Sequence, residues 1–242
     1  MNNNRFASKF FLILLVLFLC VSGCAIEKKF VKSDVQTLES VKIAWQSSPV
    51  LLRETTASFG VGLSGAMFGA VGGAFSGIAA HAMMQKAGKA TQEKYGLPDF
   101  SESVMIRLHE RVPVEVDGWP NMVMEIKPVT DKSKNTMGNV LVVRVKVLKL
   151  SNRRGLTADV TGELSDKAQN VLWRKNFVYE TGDFKRKCDL EQLEVDGGKL
   201  LREEYEFAAN MIASIFIQDL RGELPTTYEV PDLSNAAAWN RR

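Results

Sequence analysis

Four stretches hold residue types that do chemistry elsewhere. Cys188 sits in "KRKCDLE", where neighbouring cations lower a thiol pKa. The same cysteine also opens a short helical stretch with Leu190 and Leu193, a setting in which a small apolar residue is ordinary, and that reading is preferred. His81 and His109 are the two histidines, and neither has a ligand-type partner three or four residues on, so no metal or cofactor site is expected. "VDGGKLLREE" resembles a phosphate cradle only in its glycines and lacks the P-loop spacing. A loop in which Asp196 caps the following helix is expected instead. No G-x-S-x-G elbow occurs. The expectation is a chain without catalytic residues, metal or cofactor. An envelope enzyme is the weakest of three classes considered.

The elements begin with an address. Arg5 and Lys9 precede an apolar run from Phe10 to Val21, the layout of a secretory signal and short for a membrane span. Val21-Ser22-Gly23-Cys24 follows and resembles the lipobox of bacterial lipoproteins. The resemblance implies cleavage before Cys24 and lipid attachment to its thiol. Ala25 stands where the family's inner-membrane retention signal would be an aspartate, which implies the outer membrane, with the protein facing the periplasm. Membrane lipid, through acylated Cys24, is the first expected partner. Setting aside residues 1–23, which hold Arg5 and Lys9 and no acid, leaves 29 basic against 28 acidic residues. That balance argues against nucleic acid as a partner. Cys188 is then the one cysteine outside the signal and the anchor, so no internal disulfide is expected.

Residues 24–54 are expected to hold the lipid anchor and a tether, although "SDVQTLESVKIAW" fits a first strand or a short helix equally. Residues 55–97 are different in kind. From Thr55 to Gln85 there is no Asp, Glu, Lys or Arg, and Gly65, Gly69, Gly73 and Gly77 recur every fourth position. As a helix, Phe59 to Met84 would be about 39 Å long, with an end expected near Gly88. Each glycine costs such a helix about 1 kcal/mol relative to alanine, and close backbone approach to another helix offsets that cost. The segment resembles a glycine zipper, which implies self-association through Gly65, Gly69, Gly73 and Gly77. The other reading is tight packing against the chain's own domain.

Residues 98–222 alternate cleanly. Asp99 with Glu102 has capping-box spacing ahead of Val104, Leu108 and Val112. "VDGWP" is a turn, "MVMEIKPV" and "NVLVVRVKVLKL" read as strands, and "LTADVTGELS" with "VLWRKNFVYET" reads as a hairpin. Leu201, Tyr205, Ala208, Ile212, Ile215, Phe216 and Leu220 give a long amphipathic helix, and residues 223–242 read as a polar tail. The expected fold is α+β: an antiparallel sheet of about four strands with two helices on one face, preceded by a Gly/Ala-rich helix. In element order this is similar to the periplasmic domains of transport and secretion auxiliary lipoproteins. The expected function is a lipid-anchored, non-enzymatic binding or assembly module, either homo-oligomeric or bound to an envelope protein. An oligomeric outer-membrane channel or secretion accessory is the alternative.

Overall fold

The computed structural model describes residues 27–55, 69–124, 138–152, 154–184, 186 and 189–223, with backbone alone for 69–77 and 124. Cys24, Gly65, Cys188 and the tail from 224 lie outside the described residues. In chain order the elements are α1 (Lys32–Gln36), β1 (Ser40–Gln46), β2 (Leu52–Arg53), α2 (Gly69–Tyr95), α3 (Phe100–Glu115), β3 (Asn121–Met124), β4 (Val140–Ser151), β5 (Gly155–Ser165) and β6 (Val171–Glu180). A 3-10 turn (Thr181–Phe184) then leads into α4 (Leu190–Leu220).

The sheet corrects the expectation of an antiparallel sheet of about four strands. It is mixed and six-stranded, in the order β3-β1-β4-β5-β6 with β2 beside β4, and four helices accompany it. The difference comes from the stretch read as a tether. There Val41, Ile43 and Trp45 alternate with Lys42, Ala44 and Gln46, and the first set is buried. β1 lies parallel to both of its neighbours, β3 and β4. A parallel pair needs a crossover of a dozen residues or more, and the chain between β1 and β3 carries α2 and α3. β4, β5 and β6 form the antiparallel part, with β5 and β6 paired as the expected hairpin.

α3 and α4 pack on each other over one face of the sheet and enclose the core with Ile43, Leu141, Leu148, Trp173 and Tyr179. Asp99 caps α3 by accepting from Glu102 N at 3.2 Å. Its carboxylate also holds Ser48, from the backbone N at 2.9 Å and from the hydroxyl at 3.0 Å. One acid thus starts a helix and pins the loop that leaves β1. The apolar alternation of β4 breaks at a bulge between Val145 and Val147. Val147 therefore turns outward, 39% exposed, and Leu148 takes the core position. α2 runs past Gly88 to Tyr95, and Gly96, at φ 62°, ends it as a left-handed C-terminal glycine does. Within α4, Val195–Gly198 leave helical geometry, so Asp196 sits in a left-handed break and Asp189 is the N-cap.

Gly162 shows how tightly the core closes. A Cβ there would stand 2.7 Å from Trp173 Cη2 and 3.1 Å from Phe216 Cε2, two rings already in edge contact. Gly162→Ala is expected to cost about 1–3 kcal/mol by overpacking, read as a lower thermal midpoint with unchanged far-ultraviolet circular dichroism at low temperature.

Candidate functional site

Among the described side chains, residues 78–87 of α2 form a stretch that the domain's own packing does not bury. From Gly88 onward the helix is fixed to the domain. Gly88 is pressed against β2's approach so closely that a Cβ would lie 1.6 Å from Leu51 O. Gln92 Oε1 accepts from Leu51 N at 3.3 Å, and Tyr95 is buried. Gly198, at φ 74° in the break of α4, lies flat on the Tyr95 ring, where a side chain would collide. Arg202 Nη1 reaches Gly197 O at 2.8 Å, and Arg53 clasps Glu194 through two bonds of 2.8 and 3.0 Å. β2 and the broken start of α4 together form a socket for one end of α2.

None of residues 78–87 is buried; Ile78 is 69% exposed and Met83 42%. His81 lies in this stretch and meets only Gln85, at 3.1 Å. Gly69, Gly73 and Gly77 fall within α2 on the side of Gly88 away from the socket. Gly65 and Cys24 are outside the described residues, so the structure brings together three of the five expected site residues on one helix. Among the described residues no helix is long and apolar enough to cross a membrane.

Sequence reasoning missed a second feature, a buried carboxylate on α4. Glu204 is 2% exposed and takes Tyr179 OH at 2.5 Å on one oxygen and Arg186 Nε at 2.6 Å on the other. Phe184 stacks on Tyr179 at 4.9 Å, and the Arg186 guanidinium lies 4.0 Å over Phe207. Arg186, one of the cations flanking Cys188 in the sequence, thus ties the chain before α4 to the core. The signal was present: Glu204 falls three residues after Leu201 and four before Ala208, inside the apolar stripe. Burial, then the Glu204 charge, pushes the Tyr179 phenol well above its ordinary range. Tyr205 is raised as well, by burial and then by Asp99. With Glu204 buried and bonded on both oxygens, this trio is a structural lock in which Arg186 remains partly exposed.

The opposite sheet face carries a comparable pair, Glu163 with Arg174, joined by a 2.7 Å bond from Nε. It flanks the small cluster of Ala44, Val140 and Val142. Trp173 is core, and its indole donates to Asp219 at 2.7 Å; Trp119 is half-buried against Phe30. His109 is half-buried on α3. Among the described residues, no group of three or more His, Cys, Asp and Glu is placed to hold a metal ion. No family model matches this chain, and neither a curated protein nor a solved structure matches it.

Two outcomes test this geometry. Gly88→Ala should lift α2 from its socket without unfolding the sheet, so that trypsin cleavage after Lys86, Lys89 and Lys94 accelerates while the core stays resistant. Alkaline titration tests the buried phenols. Both are raised above the ordinary tyrosine value near 10, so the folded chain keeps protons that the unfolded chain releases. Stability is therefore complete below about pH 10 and falls as pH rises beyond it. Phenolate absorbance should rise together with loss of the circular dichroism signal. Tyr179→Phe should reduce the pH slope of stability from about two protons toward one.

Proposed function

We infer that this chain is a lipid-anchored envelope protein that works as a non-enzymatic assembly module and associates with further copies of itself through the glycine-bearing half of α2. Acylated Cys24 holds it to the outer membrane, and the sheet domain lies on the periplasmic side. The observation that supports this reading is that residues 78–87, ahead of the socket at Gly88, are all left unburied. An isolated helix in water is marginal even with good helix formers. This one carries Gly69, Gly72, Gly73 and Gly77, each costing about 1 kcal/mol relative to alanine. Residues 78–87 of the same helix gain no burial against the described domain. A second helix in close backbone contact offsets the glycine cost, and small residues four apart are what such contact requires. A second copy supplies a matching helix without any further partner.

The test is chemical crosslinking of the full chain in mild detergent. Gly69→Leu with Gly73→Leu should reduce the crosslinked oligomer at least about tenfold, or 1.4 kcal/mol. An unchanged ladder would remove self-association from the proposal. Cys24→Ala should move the protein from the membrane fraction to the soluble fraction, and retention in the membrane fraction would contradict the anchor.

A further inference from the structure

The break in α4 is a run of left-handed residues set between right-handed turns: Asp196 (φ 54°, ψ 43°), Gly197 (φ 65°, ψ 29°) and Gly198 (φ 74°, ψ 25°). Glycine visits that region at little cost, whereas an aspartate held there needs support from its surroundings. Here the support comes from α2 and β2. The Tyr95 ring, buried at the end of α2, lies on Gly198, where a Cβ would collide with Cδ1. Arg202, just after the break, donates to Gly197 O at 2.8 Å and stands 3.5 Å from Tyr95 O. Just before it, Glu194 is clasped by Arg53 of β2, while Leu190 and Leu193 are sunk in the core. Were residues 195–198 right-handed, residues 190–194 would point elsewhere and these contacts could not all be kept. The end of α2 has the converse dependence. Short helices are marginal in water, so residues 88–95 hold their turns through Leu51 on one side and Gly198 on the other.

We propose that the end of α2 and the start of α4 form a single latch: undocking Tyr95 releases the left-handed break, and loss of the break undocks Tyr95. Such coupling is reciprocal, so a change on either side is felt equally on the other. The frame stays closed while the latch opens, because α4 beyond the break is fixed by buried Leu201, Tyr205 and Ala208. One continuous helix runs from the unburied stretch 78–87 to Tyr95. A load on that stretch therefore reaches the core at Leu190 and Leu193 by way of the latch. The association of copies proposed above is one such load, but the latch depends neither on that association nor on acylation of Cys24.

Gly197 allows the test, because nothing lies within 4 Å of a Cβ there and only its left-handed φ is affected. In the full chain, Gly197→Ala should speed amide hydrogen exchange about tenfold in residues 190–195 and in residues 88–95 alike, read by peptide mass spectrometry, with β5 unchanged. Gly88→Ala should speed the same two segments from the other side. Gly197→Asn, which tolerates the left-handed region, should do much less than alanine. Faster exchange in 190–195 with 88–95 unchanged overturns the latch, and so does a Gly88→Ala variant that loosens α2 alone. Equal acceleration in β5 overturns it as well, since the two segments would then open only with the whole domain. Crosslinking reads the association separately: a lost ladder with coupled exchange leaves the latch standing, and an intact ladder with uncoupled exchange removes it.

Discussion

Parallel strands cannot be joined by a tight turn, and that constraint organises this molecule. β1 lies parallel to β3 on one side and β4 on the other, so the chain leaving it must cross the sheet before either partner can form. α3 is that crossover, and its position is set where the chain departs: Asp99 caps the helix and grips Ser48, while Ser101 N donates to Ser48 Oγ at 2.8 Å. With α3 laid down, α4 fills the rest of the same face. Arg107 pairs with Glu206, and Arg111 reaches Ser214 at 2.8 Å between the two helices. α2 is the part of the crossing connection that the sheet does not need to cover. Its C-terminal end completes the core through Tyr95, and its other end is left over.

What the sequence disclosed and what it hid follow from the range of the interactions involved. α3, the β5–β6 hairpin and the stripe of α4 rest on neighbours within a few positions, so capping spacing and periodicity expose them. β1 has an alternating pattern, but its identity as a central parallel strand depends on residues some 80 and 100 positions away. β2 has two residues and no pattern to read. The bulge at Val145/Val147 inverts the alternation part-way along β4, so counting every second valine assigns Val147 to the wrong face. For the candidate site, the glycine spacing identified the helix. Its end was misplaced because Gly88 resembles a terminator and is in fact a contact point.

Buried charge in this fold is spent on holding elements together. Glu204 joins the end of β6, the loop before α4 and α4 itself, while Glu163 ties β5 to Arg174 on β6. Removing one member of such a pair leaves an uncompensated buried group, which is more damaging than never having had the pair. These carboxylates therefore have a structural reason to be enclosed, independent of any reaction. Residues 78–87 of α2, unburied by the described domain, have no such internal explanation.

The two outer strands of the sheet, β3 and β6, bear on solubility. A sheet with open edges is a template for edge-to-edge aggregation, and proteins blunt edges with short strands, charges or covering segments. Here the β3 edge has four residues, and the first half of the β6 edge is occupied by Glu27, Lys28 and the Lys28 ammonium. Further along, Arg154 pairs with Glu180 at 2.9 Å and places charge at the end of that edge. The sheet is thereby kept from growing into a neighbour by backbone pairing along this edge. Trimming the chain to residue 29 would remove that guard and turn β6 into the aggregation edge that the intact molecule suppresses.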